Sequence, residues 1–224
     1  MFTVPGGDDW LDDGDGILPK GERRRAAAIR SIRGRMRFLR ERILVRGILA
    51  KYVGAAPADL QFTQDPRGKP HLGGAHRSQI EFSLSDSAGQ VWIAVGRCGP
   101  LGLDIERIRP RADVERLAGR FFAPDEAAKL RALPAAARVD AFFRAWVQKE
   151  AYLKALGGGV PVRLPRFSVR IGGAPEVTRT EIEPAGRTRY RLYDLDAPAG
   201  HVAALAAPGA EHTIRSISHT PPAH

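Results

Sequence analysis

An α+β fold in two halves is predicted by three features. A helix-patterned stretch followed by short strand-patterned runs occurs twice along the chain. Tight Gly- and Pro-containing turns separate the strand runs, as they do between antiparallel neighbours. The 224 residues, 43% hydrophobic and 27% charged, are enough to bury a core without disulfide or structural metal. The element order places an acidic N-terminal segment at 1–19, an N-terminal half at 20–100, a C-terminal half at 101–217 and a loose tail at 218–224.

Segment 20–53 reads as one long helix. Ile32, Met36, Leu39, Ile43, Gly47, Ile48 and Tyr52 recur at helical steps, arginines fill the other faces, and Gly54 is the stop. Residues 60–72 read as strand, turn at Asp65-Pro66-Arg67-Gly68 and return strand. Strands follow at 79–84 and 90–96, with Ser85-Asp86-Ser87 running into a turn at Ala88-Gly89. The run 101–108 alternates, so Leu101, Leu103 and Ile105 share one face and Gly102, Asp104 and Glu106 the other. Helices are predicted at 111–119, 123–132 and 136–157; Pro124 with Asp125 and Glu126 makes a favourable helix start, and Gly157-Gly158-Gly159 a stop. Five strands are predicted after 165, the last being His212–Ile217.

The net charge of +10 is unevenly spread. Residues 1–19 hold five Asp and no Lys or Arg, whereas residues 20–51 hold twelve Lys or Arg against Glu22 and Glu41. Such a block attracts a polyanion or an acidic protein, or is simply a solvated helix face. Cys98 stands alone, which excludes an internal disulfide. There is no signal-peptide pattern and no apolar run near the ~20 residues of a spanning helix, so a cytoplasmic protein that does not enter membranes is expected. No GxxxxGK[ST], GxSxG or HExxH motif occurs.

Four clusters carry chemistry. On a strand, Asp104 and Glu106 stand side by side, and two carboxylates so placed call for a cation. The alternative is a solvent-facing strand with Glu106 paired to Arg107 or Arg109. On a helix, Trp146, Glu150 and Lys154 lie at i, i+4 and i+8, with Lys149 one step away; the alternative is a surface ion pair. Gly68-Lys69-Pro70 presents a lysine on a stiff turn, and Ser83–Gly89 offers hydroxyls near a turn.

Taken in order, Gly68-Lys69-Pro70, Phe82 to Ser87, Gly102-Leu103-Asp104-Ile105-Glu106, Phe121-Phe122 with Glu126, and Trp146 to Lys154 form a series. It resembles the 4′-phosphopantetheinyl transferases of the large, surfactin-synthetase-activating type. The resemblance implies a monomeric pseudo-dimer of two similar α+β halves, each a long helix packed on a small antiparallel sheet. Coenzyme A is the implied co-substrate, and its phosphopantetheine goes to a serine of an acidic apo acyl carrier protein or peptidyl carrier domain. Asp104, Glu106 and Glu150 would hold Mg²⁺, or Mn²⁺. Glu150 and Lys154 would be catalytic, and Arg37, Lys69, Pro70, Ser85, Lys149 and Lys154 would contact coenzyme A. The chain departs from the family at Asp86, where a histidine is usual, and an acid there is repelled by pyrophosphate. That departure motivates a competing reading, a catalytically weakened coenzyme A- or carrier-binding homologue. A nucleic-acid-binding module on the arginine-rich helix is disfavoured, because the aromatics do not cluster with the arginines.

Overall fold

The computed structural model describes residues 2–3, 16–66, 68–77, 80–110, 112–157, 164–182, 189–209 and 211–217. In the N-terminal half, β1 (Phe2–Thr3) is followed by α1 (Lys20–Ala28), α2 (Ile32–Val53), β2 (Phe62–Gln64), β3 (Pro70–Leu72), β4 (Glu81–Ser87) and β5 (Gln90–Gly96). The C-terminal half holds β6 (Gly102–Arg107), α3 (Val114–Phe121), α4 (Pro124–Ala132), α5 (Ala135–Ala155), β7 (Phe167–Val169), β8 (Val177–Thr180), β9 (Tyr190–Leu195) and β10 (His201–Pro208). All strand pairs are antiparallel, in sheets ordered β1-β5-β4, β6-β10-β9, β2-β3 and β7-β8. The α+β class is thus as expected, with one long helix on a small antiparallel sheet in each half.

Several expectations need correction. The first helix is two helices: Ser31 has extended backbone, and its hydroxyl accepts the N–H of Gly34, so it caps α2 and breaks the run. The inward face of α2 is Ile43, Leu44, Val45, Ile48 and Leu49, while Ile32 and Tyr52 are exposed. Arg46 also points inward, against the expectation that arginines stay outside. Its guanidinium takes both oxygens of Glu22 on α1, at 2.7 and 3.2 Å, and donates to the carbonyls of Pro57 and Leu60. Every polar face of the ion is met, so its burial is tolerated. The strand predicted at 79–84 runs on through Ser85, Asp86 and Ser87, and the reversal lies at Ala88 and Gly89 as expected, both at positive φ. His212–Ile217 forms no strand; both edges of β10 are already taken by β6 and β9, and the segment is held through side chains, His212 N–H donating to the Tyr193 hydroxyl. Phe2–Thr3, inside the acidic segment, pairs with Ile93 and Trp92 of β5. Gly54 ends α2 in the left-handed region, as the sequence indicates. Gly158, Gly159 and the tail from 218 lie outside the described residues.

Three apolar clusters hold the molecule. One joins α2 (Leu44, Leu49) to Phe82, Val91 and Ile93 of the first sheet. A second gathers α3, α4 and α5 on β7, β9 and β10. The third lies between the halves, where Trp92 and Ala94 of β5 meet Leu101, Leu103 and Ile105 and Ala203 and Leu205 of β10. Burying the inward face of β6 in this way leaves Asp104 and Glu106 on the other side.

Candidate active site

Helix α5 lies against β6 at Gly102. A Cβ there would sit 2.0 Å from the Ala151 carbonyl oxygen and 2.4 Å from the Ala155 N. The glycine therefore permits the close approach of helix to strand. Two residues on, Asp104 faces the helix turn that carries Glu150 and Lys154. Asp104, Glu106, Glu150, Lys154 and Trp146 line one cavity of about 320 Å³ with Leu84, Ser85 and Asp86 of β4. The three positions predicted to share a helix face, Trp146, Glu150 and Lys154, all reach it. The Trp146 ring is held from behind by Phe121, Phe122 and Phe142 at 5.7–6.3 Å between centroids.

The ammonium of Lys154 donates to Asp104 Oδ1 at 2.8 Å and to the carbonyls of Leu103 and Leu84 at 3.0 and 3.3 Å. It pairs with Asp104, rather than forming the surface pair with Glu150 considered above. Asp104 Oδ1 also accepts from the Ser85 hydroxyl at 2.8 Å, while its Oδ2 is buried with no partner. Burial pushes the Asp104 carboxyl up despite the lysine and the serine. Burial also pushes Glu150 up, with Asp104 and Glu106 adding to it and Lys154 opposing. Glu106 accepts from the Ser87 hydroxyl at 2.9 Å, and Arg109 stacks on the Phe143 ring instead. The side chains are not drawn into a closed ligand set: among the described residues no group of three or more His, Cys, Asp or Glu is arranged to hold a metal ion.

Asp86 turns toward α2, where Arg37 Nη2 meets its Oδ1 at 2.5 Å. The acid is thus paired within the chain. Lys69 aims at the chain rather than outward: it is 8% exposed, and its ammonium donates to the Leu101 carbonyl at 2.9 Å, burial lowering its pKa. Pro70, in β3, pairs with Gln64. Neither Lys69 nor Pro70 lines the cavity.

Lys149 is the clearest correction. It is fully buried, donates to both Glu126 oxygens at 2.9 and 2.7 Å and to the Phe167 carbonyl at 2.6 Å, and sits over the Phe167 ring. All three donors are spent inside the core, so nothing is left for a phosphate. Glu126 in turn accepts the N–H groups of Ala123 and Val169. The pair ties α4, α5 and β7 together beneath the cavity. Sequence alone does not reveal this partner, nor that the hydroxyls singled out at 83–89 meet β6. Strand alternation through residue 87 would have put Ser83, Ser85 and Ser87 on one face.

Comparison with known proteins fits this geometry. The 4′-phosphopantetheinyl transferase superfamily model matches residues 100–206, the stretch holding β6, α5 and β10. The chain is 38% identical over 176 residues to the 4′-phosphopantetheinyl transferase HetI of Nostoc sp., covering 78% of this chain and 72% of that protein. It is 34% identical over 144 residues to a putative 4′-phosphopantetheinyl transferase of Synechocystis sp., with 64% and 58% covered. It is 33% identical over 154 residues to a 4′-phosphopantetheinyl transferase of Bacillus subtilis, with 69% and 66% covered. Among solved structures, holo-[acyl-carrier-protein] synthase of Neisseria meningitidis aligns with 50% of this chain and 98% of its own, at 23% identity and a TM-score of 0.41. On the sequence matches, which run through the strand and helix that build the cavity, the chain belongs to the 4′-phosphopantetheinyl transferase superfamily.

Proposed function

We propose that this chain transfers the 4′-phosphopantetheine group of coenzyme A to a serine hydroxyl of an apo carrier protein, releasing adenosine 3′,5′-bisphosphate. The observation that carries the reading is the convergence of Asp104, Glu106, Glu150 and Lys154 on one cavity. The serine oxygen attacks the β-phosphorus, a new P–O bond forms, and the bond to the bridging pyrophosphate oxygen breaks. Glu150, whose proton affinity is raised by burial, is the base for the serine proton. Lys154, anchored by two carbonyls and Asp104, brings a fixed positive charge to the departing phosphate.

The donor set also fits a hard divalent cation: beside Asp86, which pairs with Arg37, the acids Asp104, Glu106 and Glu150 line the cavity, and Asp104 Oδ2 is buried without a partner. Asp104, Glu106 and Glu150 would hold Mg²⁺ or Mn²⁺. Such an ion would neutralise charge on the pyrophosphate leaving group. At the mouth, Arg37 is the exposed cation available to a phosphate, in exchange for Asp86. The weakened-homologue reading rested on an uncompensated acid at position 86. The Arg37 pair removes that ground, and the relatives matched over most of this chain are named as transferases. A monomeric pseudo-dimer agrees with a cavity lined from both halves of one chain.

Intact-mass measurement of an apo carrier protein incubated with this chain, coenzyme A and Mg²⁺ tests the proposal. A gain of one phosphopantetheine group, lost in chelator and in Glu150→Ala, is expected. No gain with several acyl and peptidyl carriers, coenzyme A binding notwithstanding, overturns it.

A further inference from the structure

Strand β6 pairs with β10 along one edge only. Along its other edge it forms no backbone ladder with a strand among the described residues; β4 lies there, and the β6 backbone groups are satisfied, one after another, by side chains. The N–H groups of Leu103, Ile105 and Arg107 donate to the hydroxyls of Ser83, Ser85 and Ser87 at 3.0, 3.3 and 3.0 Å. The carbonyls of Leu101 and Leu103 accept from Lys69 and Lys154. The serines stand at every second residue of β4, and their partners at every second residue of β6, in the same direction. Side chains of one strand thus replace the ladder that a neighbouring strand would supply.

Two of these serines do more than close the edge. Having accepted a backbone N–H, each hydroxyl has its own proton left to give. Ser85 gives it to Asp104 Oδ1 at 2.8 Å, and Ser87 gives it to Glu106 Oε2 at 2.9 Å. The arrangement repeats: hydroxyl i accepts from the N–H of residue i+20 and donates to the carboxylate of residue i+19. Ser83 has only the first half of it, because the residue at i+19 is Gly102. In a carboxylate held by one oxygen, the other oxygen has a fixed direction, and Asp104 Oδ2 is the buried, unpartnered atom that results.

We infer that Ser85 and Ser87 are positioning residues: the N-terminal half, through β4, aims the Asp104 and Glu106 carboxylates of the C-terminal half at the ion they would hold. Ser85 is thereby an orienting group for Asp104. The inference rests on the proposed metal role of these carboxylates. Residues that hydrogen-bond metal ligands from behind set ligand direction, and losing one typically costs about 10–100-fold in metal affinity.

The test is Mn²⁺ binding to the full chain without coenzyme A or carrier, read by the electron paramagnetic resonance signal of free Mn²⁺. Thermal unfolding of each variant serves as the control for folding. Ser87→Ala and Ser85→Ala are expected to weaken Mn²⁺ binding about tenfold or more. Ser87→Thr, which keeps the hydroxyl, should restore it. Ser83→Ala loses a seam bond of the same kind but touches no carboxylate, so its Mn²⁺ affinity should stay at the wild-type value. Wild-type affinity in Ser87→Ala and Ser85→Ala, or an equal loss in Ser83→Ala, overturns the positioning role while leaving the metal reading in place. Failure of the wild-type chain to bind Mn²⁺ overturns the metal reading itself, and this inference with it.

Discussion

Asp104 is subject to two opposed influences. Burial disfavours its charge, while Lys154 and Ser85 favour it. Burial wins, so folding raises the proton affinity of this carboxyl above that of the unfolded chain. The sign follows by linkage. A group whose folded pKa is raised contributes stability below its unfolded value, and that contribution is lost as pH rises through the folded value. At neutral pH the Asp104 charge is therefore a standing cost of the active fold. Asp104→Asn keeps an oxygen for Ser85 and Lys154 and removes the charge. In chelator, its melting temperature should exceed that of the wild type, by a margin that widens from pH 4 to pH 7, while transfer is abolished. A melting temperature below that of the wild type, by a margin that widens from pH 4 to pH 7, would mean that the Lys154 pair outweighs burial. Arg37 presents a different balance at the cavity mouth. Its partner Asp86 is more buried than it is, at 28% against 65% side-chain exposure. Arg37→Ala should raise the KM for coenzyme A, since it removes a phosphate-facing cation and leaves Asp86 to repel the pyrophosphate. Asp86→Asn should lower it. Parallel initial-rate series in coenzyme A read both changes directly, and an unchanged KM in both would remove the pair from the substrate path.

At the scale of elements, the site depends on α5 lying close against β6. Gly102→Ala would drive a methyl into the Ala151 carbonyl and the Ala155 N, both backbone atoms that cannot rotate away. The expected cost is at least the ~1–3 kcal/mol of overpacking, read as a lowered denaturation midpoint, with transfer lost as Glu150 and Lys154 shift from Asp104. The Lys149–Glu126 pair supports the same helix from below. Glu126→Ala strands a buried ammonium and should cost about 3–5 kcal/mol, whereas Lys149→Met leaves the Glu126 carboxylate its two N–H donors, Ala123 and Val169, and should cost less. Equilibrium urea unfolding gives the order of the two; a reversed order would place the greater electrostatic burden on the carboxylate. Periodicity made part of this readable in advance. Alternation put Asp104 and Glu106 on one face of β6, and the four-residue step put Trp146, Glu150 and Lys154 on one face of α5. Periodicity reports a face, however, and not the partner that face meets. The resemblance implied phosphate contacts for Lys149 and Ser85, and nothing local told of their partners here: Glu126 lies 23 residues from Lys149, and the carboxylate that Ser85 meets belongs to another strand. The inward Arg46 has the same cause, since its acceptors come from α1 and the 57–60 segment.

Across the whole molecule, charge is segregated by depth as well as by sequence. The cavity is lined by Asp86, Asp104, Glu106 and Glu150 against one lysine, whereas α1, the link after it and the start of α2 expose Arg24, Arg25, Arg30 and Arg33. On the proposed function, a polyanionic substrate would meet opposite fields at the helices and at the cavity floor. It would be drawn by the helices and admitted to the floor only with countercharge, which the proposed cation and Lys154 would provide. The exposed arginines make no contact with the cavity, so their effect belongs to encounter rather than to chemistry. Charges at the rim of a recognition surface act mainly on association rate and on its salt dependence. Reversing Arg24, Arg25, Arg30 and Arg33 to Glu together should therefore raise the KM for an acidic carrier protein and leave kcat unchanged. It should also flatten the decline of kcat/KM with ionic strength, because surface fields are screened beyond about 8–10 Å at physiological salt. Initial rates with a carrier protein at several salt concentrations decide the point. An unchanged KM and salt slope would confine the basic face to solubility, whereas a fall in kcat would mean that these side chains reach the reacting groups after all.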